Sequence, residues 1–314
     1  MRAAVVHELG TTPTVGRFDD PGPDSGAAEV IAAALNPVDV AIVAGQNPFR
    51  ELAPPFVAGL EGVAKLDDGS HRYFSAPLAP YGSLAELVPL EGAETASVPE
   101  NLSPVTAAAL GTSALAAWLA LMNTGGLGSG ETVLVLGAEG QVGSIAIQIA
   151  RAVGAGRIVG VVREESGRAG VVSLGADDAV SSNDLDRLTG RLQEAAPDGV
   201  DVILDLTWGP VVAHAIDVAK TGARLVQVGN SAGATATISA PVFRNKLVTV
   251  LPHSNFAIES AQRMTAFEHL AARAARGELV VDVETVPLAQ AADAWQRLAT
   301  GTNHRKLVVT PREG

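Results

Sequence analysis

The sequence predicts an α/β protein in which a doubly wound parallel sheet is joined to a β-rich domain. The chain has 314 residues, about twice the usual size of one domain, so two domains are expected. Hydrophobic residues make up 47% of it and charged residues 18%, a composition that argues against disorder. From Thr132 onwards apolar strands alternate with helices, which is typical of a parallel sheet covered on both faces.

The N-terminal third consists of short predicted strands separated by prolines. Residues 3–8 and 29–35 have the composition of strands. Residues 37–43 are predicted to form a short helix, because Pro37 suits a first helical turn. This part of the chain is therefore expected to form a β-rich domain, and it contains no internal repeat.

The predicted parallel sheet begins at Thr132. Its strands cover residues 132–137, 157–162, 179–180, 200–206 and 223–229, and its helices cover 141–154, 165–174, 184–196 and 210–220. The chain continues with a helix over 254–276, a strand over 280–286, a helix from 289 and a strand over 306–310. The preceding residues 101–130 carry no charge and are long enough for a membrane span. Their small residues, with Pro104 and Gly111 as interruptions, favour a buried helix between domains instead.

Charge and cysteine content exclude several classes of function. The formal net charge is −12, and without a basic patch such a surface repels a nucleic-acid backbone. The chain has no cysteine, which removes disulfides, thiol nucleophiles and thiolate zinc sites and is compatible with a reducing cytoplasm. The first residues lose their apolar character too soon for a signal peptide. We therefore expect a cytoplasmic protein that binds neither nucleic acid nor a membrane.

The strongest chemical motif is a glycine loop between the first strand and the first helix of this sheet. Residues 137–143 read Gly-Ala-Glu-Gly-Gln-Val-Gly, with the spacing G-x-x-G-x-x-G. Glycine permits a tight turn and a close approach of the backbone to a pyrophosphate, and the helix N-terminus offers free N–H groups. The strand before it and the helix after it favour a dinucleotide site over a simple turn. The candidate cofactor-binding residues are Gly137, Gly140, Gln141, Val142 and Gly143.

The choice of dinucleotide depends on the residue after the second strand. An NAD site places an acidic side chain there to bind the ribose hydroxyls. This chain has Arg163, which can bind a 2′-phosphate, so NADPH is predicted. Glu164 and Glu165 follow immediately, which leaves NADH open, and a solvated surface arginine is the alternative interpretation.

Short motifs in a fixed order carry a family resemblance over most of the chain. They are N-P-x-D at residues 36–39, G-x-E-G at 59–62, G-x-x-A-E at 82–86, the glycine loop, Leu-Gly-Ala-Asp at 174–177, Asp205 and the segment Gly229, Asn230 and Ser231. In this order the chain resembles the medium-chain dehydrogenase/reductase superfamily, in its zinc-independent quinone oxidoreductase branch.

The resemblance implies a Rossmann NADP-binding domain, residues 116–253, inserted in a chaperonin-10-like (GroES-like) β-barrel domain made of residues 1–115 and 254–314. It also implies NADPH in a cleft, a homodimer, and no metal. Zinc relatives carry Cys near Asn36 and His near Leu60, and neither ligand is present here.

Departures from the branch affect the phosphate site. Gly167 and Ser182 stand where the branch often has a lysine and a tyrosine that bind the adenosine phosphate. Arg163 or Arg168 would then have to bind that phosphate. The threonine often found near the nicotinamide is replaced by Ala116, and the segment 62–81 is shorter than usual.

Three residues are the candidates for catalysis, and three more for the nicotinamide side. Asn36 could donate a hydrogen bond to a carbonyl oxygen, or only cap the helix that begins at Pro37. Tyr81 could bind substrate or donate a proton, or be an ordinary half-buried tyrosine. Asp39 is expected to orient the backbone or Asn36. Gly229, Asn230 and Ser231 are expected beside the nicotinamide, with a structural turn as the alternative.

The resulting hypothesis is NADPH-dependent reduction of a quinone or an activated C=C bond (an enone or enoyl compound) by hydride transfer. An NADPH-binding redox sensor or interaction protein of the same fold is the alternative. A serine hydrolase is disfavoured: residues 229–233 fit G-x-S-x-G, and Asp282 or Asp293 and His304 follow, but no helix is predicted after Ser231. By family analogy residues 238–251 include the sixth strand and the dimer edge, or else an ordinary core strand.

Overall fold

A computed structural model describes residues 1–46, 50–303 and 305–312. Its strands are β1 (Arg2–Val6), β2 (Thr14–Arg17), β3 (Ala27–Ala34), β4 (Phe56–Val57), β5 (Glu61–Lys65), β6 (His71–Ser75), β7 (Leu87–Pro89), β8 (Glu94–Ser97), β9 (Thr132–Leu136), β10 (Arg157–Val162), β11 (Asp178–Ser181), β12 (Val200–Asp205), β13 (Ala219–Gln227), β14 (Thr249–Pro252), β15 (Val283–Pro287) and β16 (Lys306–Thr310). Its α-helices are α1 (Pro37–Val43), α2 (Pro104–Trp118), α3 (Gln141–Ala152), α4 (Arg168–Ser173), α5 (Leu185–Ala195), α6 (Val211–Asp217), α7 (Ala240–Lys246), α8 (Ser260–Ala275) and α9 (Ala291–Ala299).

The chain divides into two units, Met1–Ser113 with Ile258–Gly314, and Ala114–Ala257. The first unit contains two β-sheets. The smaller has the order β2-β1-β4, and the larger has the order β15-β16-β3-β5-β6-β8 with β7 also paired to β3. Pairing is antiparallel except between β15 and β16. Because β16 pairs with β3, residues from both ends of the sequence form one sheet around a core that includes Phe74 and Trp295.

The second unit is built on one parallel sheet with the order β11-β10-β9-β12-β13-β14. Numbered within this sheet the order is 3-2-1-4-5-6, the doubly wound Rossmann arrangement. All five residues of β9 are buried, which explains why this strand is a continuous apolar run in the sequence. The predicted fold class is therefore confirmed. The strand order reverses between β9 and β12, and ligands of such sheets bind outside the carboxyl ends at that point.

Several predicted elements differ in their bounds. The segment 238–251 includes most of the sixth strand, β14, as predicted, but its earlier part is a helix: Ser239 is the N-cap of α7, Pro241 lies in its first turn, and β14 follows at Thr249. The helix predicted from 254 begins as α8 only at Ser260, after a short 3₁₀ turn, Asn255–Ala257. A 3₁₀ turn, Glu165–Gly167, likewise precedes α4. At α7 the proline in the first turn favours a helix start, which hydrophobic periodicity does not register.

The uncharged segment folds as α2 and a following π-helical turn, Leu119–Thr124. Over Pro104–Thr124 it is long and apolar enough to cross a membrane, but 72% of its most apolar window is buried within the protein, as in a core helix. Gly111 has non-helical angles (φ 10°, ψ −128°), so α2 is kinked there. At this kink the helix comes close to the carboxylate of Glu61.

Candidate active site and dinucleotide site

The glycine loop forms the turn between β9 and α3 in the second unit. Gly137 has a φ of +82°, which favours glycine. A Cβ atom on Gly143 would lie 2.3 Å from the carbonyl oxygen of Gly137, so the helix packs on the turn at a distance that only glycine allows. Gly140 is the N-cap of α3 and has no side chain to satisfy the first N–H groups of this 12-residue helix. These free N–H groups, at the positive end of a helix dipole, fit a pyrophosphate.

The residues after β10 distinguish the two candidate arginines. The Arg168 guanidinium donates to the carboxylates of Glu165 and Asp178, so it is already engaged by acidic groups. Arg163 is exposed, and its side chain forms no ion pair with another described residue. The carboxylate of Glu139 lies over Gly167: a Cβ there would be 2.3 Å from Oε2 of Glu139. Arg163 is therefore the better candidate for binding a phosphate, and Glu139 places a carboxylate over the 3₁₀ turn that follows it.

The predicted nicotinamide segment follows β13 at the carboxyl edge of the sheet. A Cβ on Gly229 would lie 2.5 Å from the carbonyl oxygen of Leu206, so two loops pass in close contact. Asn230 and Ser231 are exposed, and Ser231 Oγ donates to Leu206 O at 3.3 Å. No helix follows Ser231 directly, because α7 begins only at Ala240, so the nucleophile-elbow geometry is absent. His304 of that alternative lies outside the described residues.

Two further groups at this edge support the loops: Asp205, which was used from the sequence only as part of a family motif, and His253, which was not singled out. Oδ1 of the buried Asp205 accepts the N–H groups of Thr207 at 2.9 Å and Trp208 at 2.7 Å, which fixes the loop after β12. Burial raises the pKa of Asp205. His253 follows β14; its Nδ1 lies 2.9 Å from Thr124 Oγ1 and its Nε2 3.1 Å from Asn255 Oδ1, and burial lowers its pKa. The imidazole is therefore neutral and holds two segments together.

A buried polar cluster in the first unit is centred on Glu61, the first residue of β5. The Glu61 carboxylate is fully buried and accepts from Asn36 Nδ2 at 2.8 Å and from the Tyr73 hydroxyl at 2.6 Å. It also accepts from the backbone N–H and the hydroxyl of Thr112, both at 2.7 Å. Four hydrogen bonds on one carboxylate account for a buried charge that would otherwise be very costly.

The kink in α2 allows this carboxylate to approach the helix. A Cβ on Gly111 would lie 2.4 Å from Glu61 Oε2, so any larger residue would displace the carboxylate. The interruption also turns the Thr112 N–H towards Glu61 instead of into the helix. Tyr73 is fixed from its other side by stacking on Phe267, with ring centroids 3.9 Å apart, and burial raises its pKa, so it stays a donor.

Asn36 and Asp39 meet at the same cluster. Asn36 is the N-cap residue of α1, and its backbone N–H donates to Asp39 Oδ2 at 2.7 Å. Its side-chain oxygen accepts from the buried ammonium group of Lys306, which also donates to Ser113 Oγ at 3.2 Å. Burial lowers the pKa of Lys306. Asn36 is therefore the N-cap residue of α1, and its side-chain amide lies between Glu61 and Lys306. Its donation to a substrate carbonyl stays a prediction.

Asp39 has one buried oxygen, Oδ1, without a hydrogen-bond partner. Burial raises the pKa of Asp39 to about 7, the Asn36 N–H opposes this shift, and the negative charge of Glu61 adds to it. Asp39 thus gains or loses a proton near neutral pH, whereas an exposed aspartate would be ionised.

The pH dependence of stability should report this carboxyl. Because folded Asp39 has a raised pKa, it stabilises the fold below pH 4 and this contribution is lost as pH rises to about 7. Relative to wild type, Asp39→Asn should therefore gain stability with rising pH, by at most about 1.4 kcal/mol per pH unit over that range. Urea denaturation of both proteins from about pH 4 to pH 8 measures the difference. Parallel pH profiles would show that Asp39 titrates normally.

Tyr81 lies elsewhere in the first unit. Its ring packs edge-on against Phe18, with centroids 6.0 Å apart, and its hydroxyl donates to the Asp20 carbonyl oxygen at 3.3 Å. Its role in a reaction stays a prediction. The sequence reasoning missed Tyr73, Thr112, Ser113 and Lys306, and used Glu61 only as part of a motif. One signal was present, because Lys306 begins an otherwise apolar strand, where a charged residue needs a partner.

The donor set does not suit a zinc ion. Within residues 1–46, 50–303 and 305–312 no three His, Cys, Asp or Glu side chains are grouped so that they could hold a metal. The amide of Asn36 and the aliphatic Leu60 occupy the positions that the resemblance assigns to the zinc ligands, and neither provides a thiolate or imidazole.

A doubly wound sheet with a glycine turn at its first strand defines a Rossmann dinucleotide-binding protein, and comparison with known proteins narrows this class. The sequence pattern of the zinc-binding dehydrogenase family matches residues 142–268 of this chain. The quinone oxidoreductase of Thermus thermophilus, solved alone and with NADPH, is 30% identical, with a TM-score of 0.83 over 99% of this chain and 100% of that one. The chain belongs to the medium-chain dehydrogenase/reductase superfamily, in its quinone oxidoreductase-like branch.

Curated relatives have different overall lengths. One phenolphthiocerol/phthiocerol polyketide synthase chain of Mycobacterium tuberculosis is 27% identical over 311 residues, 94% of this chain, but the match spans only 14% of that protein. Prostaglandin reductase-3 of Mus musculus is 26% identical over 321 residues, which cover 93% of this chain and 84% of the relative. The chain thus resembles both free-standing reductases and a small part of a much larger synthase.

Proposed function

We propose that this protein is an NADPH-dependent oxidoreductase that reduces a quinone or an activated C=C bond conjugated to a carbonyl group. The observation that carries the proposal is the glycine turn at the point where the strand order reverses, with the uncapped N-terminus of α3 behind it. The similarity to a quinone oxidoreductase and to a prostaglandin reductase supports the choice of acceptor.

The residues that would hold the cofactor lie at the carboxyl edge of the second unit's sheet. The pyrophosphate would bind the N–H groups of Gln141, Val142 and Gly143, and Arg163 would bind the 2′-phosphate. When bound, NADPH supplies a hydride from its nicotinamide ring. The exposed Asn230 and Ser231 are proposed to line that ring.

The buried cluster of the first unit is proposed to bind the acceptor. A carbonyl oxygen becomes negatively charged as hydride adds to the conjugated system, so a fixed donor at that oxygen lowers the barrier. Asn36 offers such a donor, because only one N–H of its Nδ2 is required by Glu61. Asp39 holds the backbone of Asn36 and is proposed to be a positioning residue.

A cofactor titration combined with an acceptor screen tests the proposal. We expect oxidation of NADPH in the presence of at least one member of a panel of quinones and α,β-unsaturated ketones and thioesters. Tight binding of NADPH without turnover of the whole panel would contradict the enzymatic proposal and favour a redox sensor of the same fold. Failure to bind either nicotinamide cofactor would contradict both.

Arg163→Ala should separate the two cofactors. The substitution removes a charged hydrogen bond to the 2′-phosphate, so NADPH affinity should fall by roughly 10-fold or more. NADH lacks this phosphate, and its affinity should stay within about twofold. Arg168→Ala is the matched control, because Arg168 is engaged by Glu165 and Asp178. Isothermal titration measures all three proteins, and equal loss of NADPH and NADH binding in Arg163→Ala would disprove the phosphate assignment.

We also propose a homodimer through β14. This strand is last in the sheet order, so one of its edges has no partner strand among the described residues. Val250 within it and Leu247 just before it are exposed. Apolar edge strands of this kind pair with a second copy. Val250→Lys should therefore give a monomer by light scattering, whereas the control Val172→Lys, at another exposed valine, should leave the dimer intact. A monomeric wild-type protein would disprove the proposal.

A further inference from the structure

Lys306 is a buried lysine whose two hydrogen-bond acceptors belong to other elements. Its Nζ donates to Asn36 Oδ1, before α1, and to Ser113 Oγ, on α2 beyond the kink. An ammonium group can only donate, so each partner must accept with a lone pair. The N–H groups of the Asn36 amide and the hydroxyl hydrogen of Ser113 are therefore directed away from Lys306.

The orientation of the Asn36 amide is fixed by opposite charges on its two sides. Its oxygen faces the Lys306 ammonium, and its nitrogen donates to the Glu61 carboxylate. A flipped amide would turn its NH₂ group to a cation and its oxygen to an anion, and both contacts are repulsive. The Lys306 ammonium group at the amide oxygen draws electron density from the amide nitrogen, which strengthens the remaining N–H of Nδ2 as a donor.

Ser113, like Asn36, accepts a hydrogen bond from Lys306, so its own hydroxyl hydrogen is directed away from the ammonium group. It is 5% exposed, and within the described part of the chain its hydroxyl hydrogen has no recorded acceptor. Asn36 Oδ1 and Ser113 Oγ both lie within 3.2 Å of the Lys306 nitrogen atom, so the two groups adjoin the same cation.

We infer that Asn36 Nδ2–H and the Ser113 hydroxyl form a pair of donors for the carbonyl oxygen of the acceptor, with Lys306 as the positioning residue that keeps both groups in the donor state. The inference rests on the proposed function and adds Ser113 as a catalytic residue. Two donors beside a buried cation stabilise the negative charge that develops on the oxygen when hydride adds at carbon. The new C–H bond of the acceptor forms with the hydride that NADPH would supply from a C–H bond of its nicotinamide ring. The carbonyl π pair goes to this oxygen, directly in a quinone carbonyl or as the C=C pair shifts to form the enolate in an enone, and a proton from water completes the reduction.

Steady-state kinetics of three variants test the inference. Ser113→Ala should lower kcat by roughly 10- to 100-fold, and Lys306→Met by about 100-fold or more, with the Kd for NADPH unchanged. Lys306→Arg keeps the charge and should recover part of the activity that Lys306→Met loses. Ser173→Ala and Lys65→Met, at exposed positions, are matched controls and should retain wild-type kcat. An active wild type with kcat unchanged in Ser113→Ala would overturn the donor pair.

A spectroscopic measurement keeps the inference separate from the proposed function. The side-chain ¹⁵N–¹H₂ signals of Asn36, assigned with Asn36→Asp, should move in Lys306→Met and return towards wild type in Lys306→Arg. Ser113→Ala leaves the buried charges in place and should fold even if Lys306→Met does not. Asn36 signals that are identical in wild type and the folded Lys306 variants would overturn the positioning role. A wild type with no turnover of any acceptor would instead contradict the proposed function.

Discussion

Gly143→Ala is expected to abolish binding of the nicotinamide cofactor. The new Cβ atom would lie 2.3 Å from the Gly137 carbonyl oxygen and 2.8 Å from the Cα atom of Ala138, both backbone atoms that no side-chain rotation can move. The turn or the start of α3 must shift, and the N–H groups proposed for the pyrophosphate shift with it. Overpacking of this kind costs about 1–3 kcal/mol of stability, and we expect NADPH affinity to fall by at least about 100-fold.

Gly190→Ala is the matched control for this substitution. Gly190 lies in α5 of the same unit, and a Cβ atom there would meet nothing within 4 Å. Alanine should therefore stabilise the helix by roughly 0.5–1 kcal/mol and leave cofactor affinity unchanged. Isothermal titration and thermal denaturation measure both quantities. Normal cofactor binding by Gly143→Ala would show that the cofactor does not bind at the glycine turn.

Glu61→Ala is expected to be the most destabilising substitution in the first unit. It removes the acceptor of four hydrogen bonds and a negative charge that favours the ammonium form of the buried Lys306. Breaking a buried charge arrangement in this way typically costs about 3–5 kcal/mol. Glu91→Ala, at an exposed glutamate of the same unit, should change the free energy of unfolding by less than about 0.5 kcal/mol.

Urea denaturation followed by circular dichroism measures both substitutions. Glu61→Gln should be intermediate, because it keeps the shape and one acceptor oxygen but places an NH₂ group among donors. A loss below about 1 kcal/mol in Glu61→Ala would mean that Glu61 does not organise the cluster. Gly111→Val tests the same contact from the helix, because the valine side chain would occupy the position of the Glu61 carboxylate.

The sequence was a reliable guide where the structure depends on neighbouring residues. The strand β9, the glycine turn and α3 follow one another within a short stretch, and each has a strong local signature. Element boundaries were less accurate where a single proline or cap decides them, as at α7. Of the candidate site residues, Asn36 and Asp39 meet in the structure, but Tyr81 lies against Phe18 and Asp20 instead.

The membership of the buried polar cluster around Glu61 depends on contacts that no short stretch of sequence contains. Lys306 and Asn36 are separated by 270 positions, and Glu61 and Thr112 by 51. Their contacts require the pairing of β16 with β3 and the kink at Gly111. Tyr73 belongs to this cluster, and Tyr81 does not, because Tyr73 lies in β6, the strand that pairs with β5.

The sequence by itself determined the α/β class, the doubly wound sheet and the glycine turn, because hydrophobic periodicity and glycine conformation act over a few residues. Only the tertiary structure decided which polar side chains share the buried cluster, that Arg168 is paired with acidic groups, and how the Asn36 amide is oriented. Those properties depend on burial and on charges from distant parts of the chain, and burial arises only when the sheets pack.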